Sequence, residues 1–261
     1  MSEIGKERRL ARLFNKNSGR MLCIPMDHGM QVGPIAGIQN PEPLIDAVVE
    51  AGVDAVIVNP GLYIRYHERF ANGPAIILRL DQTTMWRTGT KTGYPDTHTR
   101  QVATVREAVQ MGAEAVISYL FTCNNNPAEE TRCFEICGAI ASECREWGMV
   151  HVVEAMAAKG GFANTEDPDI VGLNCRIAGE MGADIIKTHW CGAKGFKAVA
   201  KQSLAPVAVA GGAAEGDDTA LFDFASSAVK NGAKGIIFGR NVFQRKNVKE
   251  ILSGLRDIVH G

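Results

Sequence analysis

The chain has 261 residues, 22% of them charged and 46% hydrophobic, with a formal net charge of −1. That near-neutrality removes any global electrostatic attraction to nucleic acid or to a membrane surface, and the apolar runs are strand-sized, too short to cross a bilayer. The length suits one barrel-sized domain over 1–261, and no linker, charge block or low-complexity tract divides it.

The chain opens MSEIGKERRLARLF, which is charged and lacks an apolar signal core. It predicts a helical extension over 1–20, and Glu3 and Glu7 speak against a targeting peptide. Strands are then expected at 21–26, 55–59, 75–80, 115–121, 150–155, 184–188, 207–210 and 235–238. Amphipathic stretches at 41–51, 99–111, 127–147, 167–181 and 219–231 read as helices. Pro41, Pro127 and Pro168 stand near helix starts, where a missing N–H costs little.

A repeat orders these elements. AGVDAVIV begins at Ala51, MGAEAVIS at Met111, MGADIIKT at Met181 and NGAKGIIF at Asn231. Each reads as a helix stopped by a left-handed glycine (Gly52, Gly112, Gly182, Gly232), then a short turn and a strand apolar on both faces. Repeated βα units of this kind predict an α/β chain closed into a (β/α)8 TIM barrel. An open doubly wound sheet is the alternative, but the first βα unit lacks a GxGxxG fingerprint. The seven cysteines form no CxxC pair, which fits reduced thiols in a cytoplasmic enzyme.

Such barrels carry their chemistry at the C-terminal strand ends. Strand 1 ends in Asp27-His28-Gly29 and strand 3 in Arg79-Leu80-Asp81. Strand 5 carries Glu154, with Lys159 beyond it. Strand 6 ends in Lys187-Thr188-His189-Trp190, strand 7 in Gly211-Gly212 and strand 8 in Gly239-Arg240-Asn241. Lys187 follows two isoleucines in an otherwise apolar strand. A lysine inside a barrel must be neutral or paired, so either it points outward, or it pairs with Asp27, or burial lowers its pKa and makes the amine a nucleophile. A neutral amine attacks a ketone to form an iminium, an electron sink for the neighbouring C–C bond. The glycines after strands 7 and 8, with Arg240, suit a phosphate site, since bare backbone N–H groups approach phosphate oxygens closely. Asp27 offers acid/base or hydroxyl-orienting chemistry, or a partner for Lys187. His28 and His189 stand at loop starts, able to orient a loop or move protons.

MDHG on strand 1, ADIIKT on strand 6, VAGG on strand 7 and GRNVFQ after strand 8 together resemble the archaeal-type class I aldolases, the DhnA-like branch. That branch includes fructose-1,6-bisphosphate aldolase, 2-amino-3,7-dideoxy-D-threo-hept-6-ulosonate synthase and the enzyme that processes phosphorylated autoinducer-2. The resemblance runs from about Leu22 to Phe243. It implies Lys187 as Schiff-base lysine, Asp27 as acid/base, and the backbones at Gly211, Gly212, Gly239 and Arg240 as phosphate ligands. It further implies a ring-based homo-oligomer, commonly a decamer, with no metal and no cofactor beyond the imine itself. One departure is plain. Where sugar aldolases of the branch carry a proton-shuttling tyrosine, this chain has Ala157, and Lys159 stands in place of the arginine. The autoinducer-processing enzyme also lacks that tyrosine, and its Lys-Thr…Lys-Gly-Phe run is matched by Lys187-Thr188 and Lys194-Gly195-Phe196.

Three functions follow. The first is Schiff-base cleavage or formation of a C–C bond in a phosphorylated ketone or sugar such as dihydroxyacetone phosphate, with His189, Glu154 or water replacing the tyrosine. The second uses the same lysine for acyl transfer from a phosphorylated diketone to coenzyme A. The third is a phosphate-binding barrel without covalent chemistry.

Overall fold

The computed structural model describes residues 2–94, 96–214 and 216–261; Met1, at the head of the expected extension, lies outside them. The barrel strands are β1 (Met21–Pro25), β2 (Ala55–Val58), β3 (Ala75–Arg79), β4 (Ala115–Thr122), β5 (Val150–Ala157), β6 (Ile185–Thr188), β7 (Val207–Ala210) and β8 (Gly235–Ile237). Each pairs in parallel with its sequence neighbours, and β1 closes on β8 through Met21↔Gly235, Leu22↔Ile236 and Cys23↔Ile237. The closed ring excludes the open-sheet alternative. The four repeat glycines end their helices as expected, with φ of 65°, 75°, 90° and 104° at Gly52, Gly112, Gly182 and Gly232. Any side chain there would carry the strain of a left-handed backbone.

Side chains alternate across each strand, and the inward set at the N-terminal end is apolar. It comprises Met21, Cys23, Ala55, Ile57, Ala75, Ile77, Ala115, Ile117, Val150, Val152, Ile185, Ala208 and Ile237, all buried. The N-terminal helix Ser2–Leu13 covers this end of the barrel. Its fully buried Leu13 joins the same cluster, with Leu10 and Phe14 packed against it. Ion pairs Lys6–Asp184 and Arg12–Glu114, each 2.9 Å, tie the helix down. The helix stops at Leu13, short of the expected residue 20.

A larger difference falls at 99–111. Thr99–Gln101 pairs antiparallel with Asp81–Thr83 as a small ribbon beyond β3, and only Val105–Gln110 is helical. The helix begins late because Thr104 and Glu107 form a capping box that fixes its first turn. Among the described residues no helix is long and apolar enough to cross a membrane. All seven cysteines are buried free thiols.

Candidate active site

The alternation that fills the lower barrel with Ala75, Ile77, Ala115, Ile117, Val150, Val152 and Ile185 carries four polar side chains inward at the next step. These are Arg79 on β3, Tyr119 on β4, Glu154 on β5 and Lys187 on β6, all buried. Tyr119 pairs with Glu154, and Glu154 with Lys187, across neighbouring strands. Lys187 therefore points into the barrel. Its Nζ lies 2.8 Å from Glu154 Oε1, so its ion-pair partner is Glu154 and not the Asp27 offered by the sequence. Strand register explains this: Glu154 sits beside Lys187 on the adjacent strand.

Asp27 faces a different cation. The Nε of Arg79 donates to Asp27 Oδ2 at 2.9 Å, and its Nη2 donates to Glu154 Oε2. The third arm, Nη1, lies 3.4 Å from Asp81 Oδ1. The guanidinium also stacks 3.9 Å above the ring of Tyr119, whose hydroxyl accepts a hydrogen bond from Trp86 Nε1 at 3.1 Å. Asp27 precedes the short helix His28–Val32 as its N-cap residue but makes no side-chain cap bond, since its carboxylate is turned into the barrel. Asn59 Nδ2 donates to the Asp27 carbonyl at 2.8 Å and fixes that turn.

Burial pushes the carboxyls of Asp27 and Glu154 up, but neighbouring cations outweigh it. Arg79 and, to a smaller extent, Lys187 hold Asp27 below the usual aspartate range, and Lys187 and Arg79 do the same for Glu154. Both are acceptor-only carboxylates at neutral pH. Asp81 behaves oppositely. Burial dominates the opposing charge of Arg79 and pushes its pKa up to about 6.

Three further candidates gather at β1 and β8. His28 packs edge-on against Phe243, with ring centroids 5.2 Å apart. A Cβ on Gly239 would fall 2.7 Å from His28 Cε1, so the absent side chain makes room for the imidazole. His28 Nδ1 is 3.7 Å from Asp27 Oδ1, too far for a hydrogen bond. Burial lowers the His28 pKa to about 4, and the charge of Arg240 acts in the same direction. On the other side, His189, Trp190, Gly211, Gly212 and Asn241 line a cleft of about 410 Å³ that continues along Ala220 and Phe224. Burial lowers the His189 pKa as well.

The two loop glycines differ in their role. The N–H of Gly211 donates to Ile237 O at 3.2 Å, and a Cβ there would meet the Phe238 ring at 2.7 Å. Gly211 is thus a packing residue whose N–H is already occupied. Gly212 has φ +69° and open space around its Cβ position. Asn241 Nδ2 donates to the carbonyls of Gly211 and Ala213, at 2.6 and 3.0 Å, and joins the β7 and β8 loops. Lys159 is exposed at the rim beyond β5, outside the buried cluster, and Lys194 and Lys197 are exposed on the helix Ala193–Gln202. Ala157, where the resemblance expects a tyrosine, is the buried last residue of β5.

The sequence places Arg79, Asp81 and Asn241 at strand ends without giving them a role, and it does not single out Tyr119. The signal for Arg79 was a cation within the apolar run AIILRL, the same kind of signal that singled out Lys187.

A parallel barrel with an inward lysine paired to a carboxylate, and glycine loops on the next two strands, defines a class of enzyme that binds carbonyl substrates through an amine. The match to the DeoC/LacD family aldolase model over residues 21–245 places the chain in that family. The chain is 31% identical to the 2-amino-3,7-dideoxy-D-threo-hept-6-ulosonate synthase of Halobacterium salinarum, over 100% of this chain and 93% of that one. It is 30% identical to an uncharacterised aldolase of Saccharolobus solfataricus, over 98% and 95% of the two chains. The crystal structure of an archaeal fructose 1,6-bisphosphate aldolase superposes with a TM-score of 0.85 at 26% identity, covering 98% of this chain and 99% of that one. A structure with the catalytic Lys covalently bound to the carbinolamine intermediate of the substrate superposes at 0.83, also at 26% identity, covering 98% and 100%. The chain is a class I aldolase by family and fold. These relatives lend nothing to acyl transfer onto coenzyme A.

Proposed function

We propose that the protein makes or breaks a C–C bond in a phosphorylated ketone or sugar through a Schiff base on Lys187. The observation that carries this reading is the buried Lys187–Glu154 contact of 2.8 Å, next to strands whose loops are built on glycine. Glu154 Oε1 takes a proton from the Lys187 ammonium, and the neutral amine adds to the ketone carbon. The carbinolamine hydroxyl then leaves as water, protonated by Glu154, and the iminium forms. In the cleavage direction Asp27 takes the proton from the hydroxyl two carbons away from the iminium carbon. The C–C bond breaks, the aldehyde departs and the electron pair stays as an enamine. Protonation of the enamine carbon and hydrolysis of the imine return the free lysine. Glu154 thereby takes over the proton transfers for which Ala157 has no hydroxyl, with His189 beside it. General acid–base help of this kind is worth roughly 10²–10⁴-fold.

The phosphate binds between the β7 and β8 loops, to backbone N–H groups from Gly212 and Gly239 onward and to Arg240, with His28 behind them. Remote binding of this kind orients the reacting bond. Lys159 serves at most as an outer contact for a long substrate. The chain works as one domain over 1–261, in a cytoplasmic homo-oligomer. Its buried free thiols support a reducing compartment.

The test is borohydride reduction in the presence of dihydroxyacetone phosphate and a panel of other phosphoketones, followed by peptide mass spectrometry. The expected result is one reduced adduct, on Lys187. Turnover of a phosphoketone with no adduct, or with an adduct elsewhere, overturns the reading.

A further inference from the structure

We propose that Arg79 is a positioning residue for this chemistry: a single buried guanidinium, bonded at once to Asp27 and Glu154, aims the two carboxylates that work on opposite sides of the bond to be broken. The proposal rests on the Schiff-base reading above and adds a residue to it.

The geometry is asymmetric. Glu154 uses one oxygen, Oε2, on Arg79 and the other, Oε1, on Lys187. Rotation of the carboxylate toward Lys187 is therefore limited by its hold on Arg79. Asp27 likewise commits Oδ2 to Arg79, leaving Oδ1 for a substrate hydroxyl. Arg79 is itself fixed, fully buried between the ring of Tyr119 and the carboxylate of Asp81. A planar fork with five donors can span two carboxylates at fixed angles, whereas an ammonium cannot.

A purely structural role explains the arrangement less well. Ion clusters buried in a protein are often no more stabilising than apolar side chains of similar volume. The same barrel is closed one step lower by apolar side chains, mostly alanine, valine and isoleucine. The cluster also couples two distant groups. When Glu154 takes the lysine proton, its hold on Arg79 weakens and that of Asp27 strengthens, which keeps Asp27 ionised and aimed until the hydroxyl proton is transferred. The ionisable groups around the guanidinium are Asp27 and His28 from β1 and its loop, Asp81, Tyr119, Glu154 and Lys187. Cys23 and His189 stand at the edge of the same field.

The experiment measures the rate of borohydride-trapped adduct on Lys187 across pH for the wild type and Arg79→Lys, with folding followed by circular dichroism and melting. The expected result is a folded variant that traps at least about 30-fold more slowly, with the acid limb of its profile moved to higher pH because Glu154 is held less firmly as the anion. A merely structural arginine would change the melting temperature and leave the rate per folded molecule and the acid limb alone; that result overturns the proposal. If Arg79→Lys does not fold, Asp81→Asn serves instead. It loosens one anchor of the guanidinium without touching the lysine or either aimed carboxylate, and a rate several-fold slower is expected. An unchanged rate and limb in that variant overturns the proposal equally. A wild type that gives no adduct removes the Schiff-base reading and the role of Arg79 together, whereas a trapped wild type with an indifferent Arg79 removes only the latter.

Discussion

The barrel interior has two layers built on the same strands by the same alternation, and they differ in nearly every physical respect. The lower layer, including Ile57, Ile77, Ile117, Val152 and Ile185, is apolar and sealed by Leu13. The upper layer, two residues further along, holds Arg79, Tyr119, Glu154 and Lys187, with Asp27 turned in from the end of β1. Burial of apolar surface stabilises the first without direction or pH dependence. The second takes several ions out of water, so its geometry and charge balance must be satisfied together. A barrel that needed only stability would repeat the first layer. On the proposed Schiff-base chemistry, the second layer is where the chain accepts an energetic cost in order to place reactive groups.

Substitutions in the upper layer sharpen this contrast most. Replacing Lys187 by alanine removes the amine proposed to form the imine, and turnover should fall to background, by about 10⁴-fold or more, as for loss of a nucleophile elsewhere. Steady-state cleavage and the loss of the reduced adduct measure it. Glu154→Gln keeps the shape and an acceptor oxygen but cannot carry a proton. Imine formation should slow by about 10²-fold while the fold persists; wild-type trapping rates in this variant would return the proton transfer to another group.

The lower layer should respond in the opposite sense. Ile117→Ala leaves a cavity among Ile77, Val152 and their neighbours, and should lower stability by about 2–5 kcal/mol in urea unfolding. The trapping rate per folded molecule should stay within about two-fold. A large loss of trapping without loss of stability would break the separation between the layers.

How legible this was depends on which residue is asked about. The barrel was visible because four glycine stops and four doubly apolar strands have local causes. Lys187 was visible because a lysine after Ile185 and Ile186 violates its surroundings. The parity is also legible in the sequence, since Ile185 and Lys187 share a face, but only the closed ring shows which face is inward. The Lys187–Glu154 pair depends on register between strands some thirty residues apart, and the sequence offered Asp27 just as readily. Arg79 was legible as a polar strand end but drew no role although it breaks an apolar run in the same way, because an arginine has no nucleophilic chemistry to draw attention. The ribbon of Asp81–Thr83 with Thr99–Gln101 is a tertiary outcome, and local helical periodicity over 99–111 concealed it. Thr104 with Glu107 was the local sign that the helix starts late.

The smallest expected effect concerns Asp81 and tests whether the upper layer carries pH dependence that the lower layer lacks. Burial raises the Asp81 pKa to about 6, against about 3.9 in an unfolded chain. The folded protein therefore binds this proton more tightly. Its stabilising contribution is complete below about pH 4 and disappears as the pH rises through 6. Asp27 and Glu154, whose pKa values are lowered, contribute with the opposite sign and lose their stabilisation as the pH falls through those lowered values. They are present in both proteins being compared, so the difference between wild type and Asp81→Asn isolates Asp81. Measured by urea unfolding, the stability of Asp81→Asn relative to wild type should rise between pH 4 and pH 7 by an amount on the order of 1–3 kcal/mol. The relative stability of Ile117→Ala should stay flat over the same range, because no titrating group is removed. If the two variants share one pH dependence, Asp81 is not ionising in the buried setting that Arg79 and Tyr119 give it.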